Sequence, residues 1–406
     1  VRIEIKSEGC ELSLNKKNLT FIVAHLKSGG QENVAARLTY LMRHDYNVKV
    51  ILLDDRDMNY ELDCEYRCIN IHSTAKPINK IINAIRRIIH VRKIKKEWKT
   101  DICLSFGATC DYINAFSKRR DHIYLSIRGY RGLDSPSRLA KIKNNIIYTK
   151  AHGVLCVSKR IVKRARELYP EHSEKFMLLY NPYDIKQIDV LKNKKLECYN
   201  SLFANNKVII AAGTYRYEKG YWHLVKAFSL VKKNIPNVKL FIIGGYSDSK
   251  TKLTKLVSDL SLTEDVVLAD FDSNPYKYMG KSSLYVLSSV FEGFPNVLAE
   301  AMACGVSIVA ADCTSGPREI LSEGNPFSVA RDIEYQDYGL LVPPMTMKEN
   351  YCSLQIEECD MTLARAIELY LCDDDMLNDY ANKAVVGVER FSERICALNL
   401  KNIIET

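Results

Sequence analysis

The 406-residue sequence lacks any apolar run long enough to cross a bilayer, which argues against a membrane span. Val1 to Lys17 is mixed and charged, so no signal peptide is expected. No Cys-x-x-Cys pair occurs among the thirteen scattered cysteines, and Cys64, Cys68 and His72 offer too few ligands for a zinc site. That usage speaks against a disulfide framework and favours a reducing, cytoplasmic compartment. Gly-x-Gly-x-x-Gly is also missing, leaving no dinucleotide fingerprint.

What is present describes a soluble globular chain, with 47% hydrophobic and 26% charged residues and enough length for two cores. The charge is divided unevenly. Residues 1–180 hold 34 Lys and Arg against 19 Asp and Glu, whereas residues 181–406 hold 24 against 30. A basic half implies an anionic partner or surface. Nucleic acid is not expected, because no nucleic-acid-binding motif accompanies the charge.

The chain is organised around Ser288 to Gly305. Ser283–Leu287 before it and Val306–Ala310 after it are short apolar runs that read as buried strands. Pro295-Asn296 marks a turn, and Val297, Leu298, Ala301 and Met302 carry helical spacing up to a stop at Gly305. The free N–H groups opening such a helix favour a phosphate. Glu292 in the turn and Glu300 on the helix would repel that phosphate and instead suit neutral sugar hydroxyls.

The phrase Glu292-Gly-Phe-Pro-Asn-Val-Leu-Ala-Glu300 resembles the Glu-x7-Glu signature of the retaining glycosyltransferases of family four. Ser315-Gly-Pro-Arg-Glu-Ile320 and Tyr338-Gly-Leu-Leu-Val-Pro343 follow in that family's order. The resemblance implies the GT-B fold, an α/β architecture of two Rossmann-like domains facing each other across a cleft. It implies transfer of a sugar from a nucleotide diphosphate to a hydroxyl, with anomeric configuration retained and an alpha linkage formed. A UDP-sugar is the first expectation and a GDP-sugar the alternative. The acceptor is expected to be a glycan or a lipid-linked sugar, as in bacterial surface polysaccharide assembly.

Taken in order, Leu19–Ala24 reads as a strand, broken at Ser28-Gly29-Gly30. Helical spacing through Val34, Ala35, Leu38 and Leu41 follows, and then a strand at Val48–Leu53. The wording around Gly30 and Glu32 is similar to the family's N-terminal glycine loop, which implies donor contact for Gly30 and acceptor contact for Glu32. Residues 76–99 read as a basic amphipathic helix. It has an apolar stripe from Ile78 to Val91 and cations at Arg86, Arg87, Arg92, Lys93, Lys95, Lys96 and Lys99. The stripe either packs on the sheet or lies on an anionic membrane surface at the inner face of the cell membrane. Asp101–Phe106, Ile123–Ser126 and Val154–Val157 read as further strands. Arg128, beyond one of them, stands where many relatives carry a histidine and is expected on the acceptor side.

The first domain is expected over 1–185, a polar lysine-rich linker over 186–206 and a nucleotide-sugar domain over 207–375. A C-terminal helix, 376–406, would return to the first domain. Val208–Gly213 leads into a turn ending at Lys219-Gly220, which matches the family's phosphate-binding turn. Thr214 takes the usual arginine position, and Arg216 two residues later is expected to complete a diphosphate clamp with Lys219. Glu292 would hold the donor sugar together with backbone groups of Gly293 and Phe294. Asn296 and Val297 would open the phosphate-binding helix, Glu300 would hold the ribose, and Gly244 would allow close approach. No metal and no other cofactor is expected, and Asp55-Arg-Asp57 is read as a solvated loop rather than a metal-binding Asp-x-Asp. The alternatives are a nucleotide-sugar-binding protein without turnover, and a phosphorylase or hydrolase on the same fold.

Overall fold

The computed structural model describes residues 16–27, 29–56, 58–71 and 77–405, with the backbone alone at 77 and 78. Two seven-stranded sheets dominate it. The first has the order β3-β2-β1-β4-β5-β6-β7. Its strands are β1 (Asn18–Val23), β2 (Asn47–Leu52), β3 (Glu65–Cys68), β4 (Ile102–Phe106), β5 (His122–Ile127), β6 (Gly153–Cys156) and β7 (Phe176–Leu178). β1 lies parallel to both β2 and β4. The second has the order β10-β9-β8-β11-β12-β14-β13. It is built from β8 (Lys207–Ala212), β9 (Val238–Ile243), β10 (Val266–Ala269), β11 (Leu284–Leu287), β12 (Ser307–Ala311), β13 (Glu334–Gln336) and β14 (Gly339–Val342). Only its edge pair β13–β14 is antiparallel among the described pairings.

Parallel strands covered on both faces appear in sequence as unbroken apolar runs. Phe21, Ile22, Val50, Ile51, Leu104, Ile209, Ile210, Phe241 and Ile308 are fully buried accordingly. The expected strands from Leu19 to Ala310 are all found. β3, β7 and β13 escaped the sequence reading because they are short and, as at Glu65-Tyr66-Arg67, exposed.

By internal contacts the chain forms two compact units. One runs to Ser126 and includes Ile146–Gly153; the other holds Ile127–Asn145 and the chain from Val154 onward. In the first unit, helix Pro77–Glu97 corrects one expectation. Ile81, Ile82, Ile85 and Ile89 are 41 to 64% exposed, and the helix docks through its C-terminal turns, where Val91, Ile94 and Lys95 are buried. Lys95, read as a surface cation, donates from Nζ to Asp121 Oδ2 and to Asn114 Oδ1, each at 2.7 Å. A buried lysine persists only when paired and hydrogen-bonded in this way.

In the second unit, helix Tyr221–Asn234 lies against the sheet together with helix Glu358–Cys372. The core between them includes Trp222, Phe228, Leu363, Ile367 and Tyr370. Residues 186–206 fold largely into parts of two helices, Ile185–Lys192 and Asn200–Asn205, the first N-capped by Asp184. The single helix expected over 376–406 is two, Asp374–Val388 and Glu393–Glu405. They are separated at Glu389–Phe391, where the Phe391 ring turns inward onto Tyr180 and Phe294 at 5.1 and 5.5 Å.

Candidate active site

β8 and β11 are neighbours, so the turns that leave their carboxyl ends meet. This is where an open α/β sheet places ligands. The turn after β8 winds into a short 3-10 helix, Tyr217–Lys219, and then reaches Gly220 at φ 58°. A Cβ there would lie 2.2 Å from Ser288 O, so both the conformation and the space require glycine. Ser288 Oγ donates to Lys219 O at 2.9 Å, and Val290 N donates to Glu218 O at 3.0 Å. The two turns are thereby joined along their length.

That seam sets the charges. Lys219 Nζ lies 2.7 Å from Glu292 Oε1, which also accepts from Ser289 Oγ at 2.9 Å. Both ends of the ion pair are largely buried, which strengthens it relative to a surface pair. Helix Asn296–Cys304 starts four residues after Glu292, N-capped at Pro295 and closed by Gly305 in the left-handed conformation. Glu300 lies one turn along it. Burial lifts its carboxyl from 4.5 to about 7, against the opposing pull of the Lys219 charge and a hydrogen bond from Tyr276.

Several expected residues are in different surroundings from those the sequence suggested. Arg128 donates to Asn181 Oδ1 at 2.7 Å; Asn181 Nδ2 donates to Asn296 Oδ1 at 2.6 Å, and Tyr183 OH to the same oxygen at 2.7 Å. This relay brings Arg128 to the N-terminus of the helix that follows Glu292. Gly293 is required beside it, since a Cβ would meet Arg128 O at 2.6 Å. Phe294 directs its ring into the core against Tyr180 at 5.4 Å. Gly244 packs on the turn after β8, where a Cβ would lie 1.8 Å from Gly213 O.

Thr214 faces Gly245, while Arg216 is exposed and borders a small cavity with Trp222, Ser249 and Tyr351. Lys219 N donates to Arg216 O at 3.0 Å, but among the described residues no hydrogen bond or ion pair of the Arg216 guanidinium reaches Lys219 or Glu292. Gly30 and Glu32 belong to the other unit. There Gly30 opens helix Gly30–Met42, and the Glu32 carboxylate lies 3.6 Å from His25 Nδ1. Asp55 is in the loop after β2, where Arg56 pairs with Asp54; Asp57 lies outside the described residues.

Sequence reasoning missed the polar groups that brace this centre. Glu319, within the Ser315–Ile320 motif, accepts from Lys159 N at 2.7 Å, Arg160 N at 3.1 Å and Tyr180 OH at 3.1 Å. It thus caps helix Lys159–Leu168 from another segment of the chain. His223, fully buried below Trp222, bonds Asp360 Oδ1 at 2.5 Å and Thr346 O at 3.0 Å. Burial depresses its pKa, but the bonds and charge of Asp360, together with Cys359 and Thr346 O, outweigh it and hold the pKa at about 9. Glu357 and Cys359 lie near enough to form a metal-ligand cluster with His223. Both ring nitrogens are already committed as donors, so this imidazolium offers no lone pair to a metal. No local spacing could have shown it, since His223 and Asp360 are 137 residues apart.

The family profile described as Glycosyl transferases group 1 matches residues 199–349. A protein of Methanocaldococcus jannaschii, named uncharacterized glycosyltransferase MJ1059, is 30% identical over 366 residues, covering 85% of this chain and 88% of that protein. The N-acetylgalactosamine-N,N'-diacetylbacillosaminyl-diphospho-undecaprenol 4-alpha-N-acetylgalactosaminyltransferase of Campylobacter jejuni is 28% identical over 400 residues, covering 93% and 96%. Among solved structures, Anabaena Alr3699/HepE in complex with UDP has the same GT-B fold, with a TM-score of 0.73. Identity there is 17%, over 96% of this chain and 99% of that one.

Proposed function

We propose a reaction from one premise: the chain belongs to the group 1 glycosyl transferases of family four, and is a glycosyltransferase of the GT-B fold. It moves a sugar from a UDP-sugar, with a GDP-sugar as the alternative donor, to a hydroxyl of a lipid-linked or polysaccharide acceptor in bacterial glycan assembly. Configuration is retained and the new linkage is alpha.

The observation that carries this reading is the Lys219–Glu292 pair at the joined ends of β8 and β11, beside the N-terminus of helix Asn296–Cys304. Negative charge grows on the leaving diphosphate as the sugar becomes oxocarbenium-like. Lys219 and the N–H groups of that helix are placed to stabilise it, with Arg216 as a second cation reaching in from the surface. Glu292 takes the sugar hydroxyls, assisted by backbone groups of Gly293 and Phe294, and Glu300 takes the ribose. Arg128, tied through Asn181 to Asn296, adds positive charge at the same helix end. The leaving phosphate takes the acceptor's proton, so no separate base is required, and the cations make a divalent ion unnecessary.

UDP is favoured because it is the ligand named for the Anabaena protein. A diphosphate-lipid acceptor is favoured because the Campylobacter protein is named for one. Among the described residues no helix is long and apolar enough to cross a membrane. Contact with such an acceptor therefore falls to peripheral elements, of which helix Pro77–Glu97, with its exposed isoleucines, is the clearest. Thermal-shift screening against UDP- and GDP-sugars, followed by transfer from the best donor to undecaprenyl-diphosphate-linked sugars, tests the reading. Donor stabilisation with no transfer to any acceptor would leave only the binding-protein alternative; hydrolysis without transfer would indicate a hydrolase.

A further inference from the structure

Helix Lys159–Leu168 carries five cations, and they divide into two groups. Arg160 donates to Pro326 O at 2.7 Å and to Ser328 O at 2.5 Å, clamping the loop that bears Phe327. Arg164 donates to Leu133 O at 3.0 Å and Asp134 O at 2.9 Å, fixing the turn after Tyr130. These two arginines build walls. The remaining three are Lys159, Lys163 and Arg166. Of these, Arg166 donates to Phe176 O at 2.9 Å and Lys159 N donates to Glu319, and none of the three side chains makes an ion pair within 4 Å among the described residues.

Those three cations face a cavity of about 770 Å³, within the range of small-molecule sites. Its other lining is largely apolar, with Phe176, Met177 and Phe327 prominent, and Lys163 Nζ stands 4.6 Å over the Phe327 ring. Of its two acids, Glu167 is engaged by Arg164 at 3.4 Å, which leaves Glu174 against three cations. A second cavity of about 160 Å³ shares Lys163, Glu167 and Phe327 with the first and is lined also by Tyr130. Tyr130 meets Phe291 edge-on at 6.4 Å, and Phe291 adjoins Glu292 in the chain. Shared lining residues and this aromatic contact thus make a track, with the two cavities in line with the segment that bears Glu292.

Cations in excess of carboxylates beside hydrocarbon suit one ligand chemistry. A simple anion would leave the apolar wall wet, and a plain hydrocarbon would leave the cations desolvated and unpaired. We propose that the track holds a polyprenyl diphosphate, the diphosphate on Lys163 and Arg166 and the first isoprenoid units along Phe327, Met177 and Phe176. This deepens the acceptor reading above and rests on it: the sugar carried by that diphosphate would lie past Tyr130 toward Glu292.

Farnesyl diphosphate, farnesol and inorganic diphosphate, titrated calorimetrically with UDP saturating the donor site, test the proposal. The wild type is expected to bind farnesyl diphosphate at least ~10-fold more tightly than either fragment. Joint replacement Lys163→Gln and Arg166→Gln should weaken that binding by at least ~10-fold, and Lys163→Gln alone should weaken it with an unchanged melting temperature. Phe327→Ala should weaken farnesyl diphosphate but not inorganic diphosphate. With a lipid-linked acceptor, the double variant should show a raised KM and an unaltered kcat. Equal binding of farnesyl diphosphate and inorganic diphosphate, or wild-type KM in the double variant, overturns the track and leaves the transferase reading intact. Tight farnesyl diphosphate binding without transfer to any lipid-linked sugar overturns the acceptor reading and retains the site.

Discussion

Glu300 keeps its carboxyl largely out of water, and that burial makes the fold's stability depend on pH. Its folded pKa of about 7 lies above the unfolded value of 4.5. The protonated acid therefore favours the fold below pH 4.5, and that contribution is lost as pH rises through about 7. Above that the buried carboxylate costs about 3 kcal/mol. Glu300→Gln should raise stability at pH 8 by up to about 3 kcal/mol in urea melts, leave it nearly unchanged at pH 4.5, and weaken donor binding. Identical melts at pH 8 would remove this assignment. Lys219 should behave oppositely in kinetics, because the charge it meets develops only in the transition state. Lys219→Ala is expected to lower kcat by about 10²–10³-fold with a much smaller change in donor affinity. Wild-type turnover in that variant would dismantle the proposed clamp.

Among the elements, helix Tyr221–Asn234 depends on a charge that pH can remove. His223 is raised from 6.5 to about 9, so its pairing with Asp360 stabilises fully below pH 6.5 and is lost as pH rises through about 9. The wild type should lose about 3 kcal/mol between pH 7 and pH 10 on this account, and His223→Gln should start lower and change less. Parallel pH profiles for the two proteins would contradict it. Helix Pro77–Glu97 invites a different test. Arg86, Lys93 and Lys96 accompany the exposed isoleucines, whereas Lys95 is tied to Asp121, Arg87 to Ile71 O and Arg92 to Lys118 O. Each cation near an anionic leaflet contributes about 1 kcal/mol, so replacing those three by glutamine should weaken sedimentation with anionic liposomes by at least ~10-fold at low salt. High salt should do the same to the wild type. A wild type indifferent to anionic liposomes would restrict this helix to a role in the fold.

For the whole molecule, the reading with Lys219 and the helix N-terminus at the diphosphate expects transfer to survive EDTA. Complete loss in chelator, with recovery in manganese or magnesium, would place a cation in the site and require new roles for its acids. The parallel sheets were legible because strands buried on both faces leave continuous apolar runs, as at Leu19–Val23 and Val208–Ala212. The Glu292–Gly305 turn was legible because an apolar strand, a Pro-Asn turn and helical spacing closed by a glycine follow one another along the chain. Arg128 was not, because its link to Asn296 passes through Asn181, over 50 residues away. Nor was the exposure of Ile81–Ile89, since periodicity reports that a face is apolar and not what covers it. The buried Lys95 was hidden for a related reason: a lysine among lysines gives no sign of which one has found a carboxylate.

The break at Glu389–Phe391 has a consequence for biosynthesis. Phe391 packs beneath Phe294, two residues from Glu292, and Tyr183 N donates to Phe391 O at 3.1 Å beside the relay that reaches Asn296. Arg390 joins the same place by donating to Glu319 O at 3.1 Å. On the ribosome this wedge emerges after every other residue of the centre, by which time both sheets have left the exit tunnel and can fold. The nascent enzyme therefore carries its sheets for some time before its catalytic turn acquires a floor. Completion of either sheet leaves that turn without its floor until Phe391 has emerged.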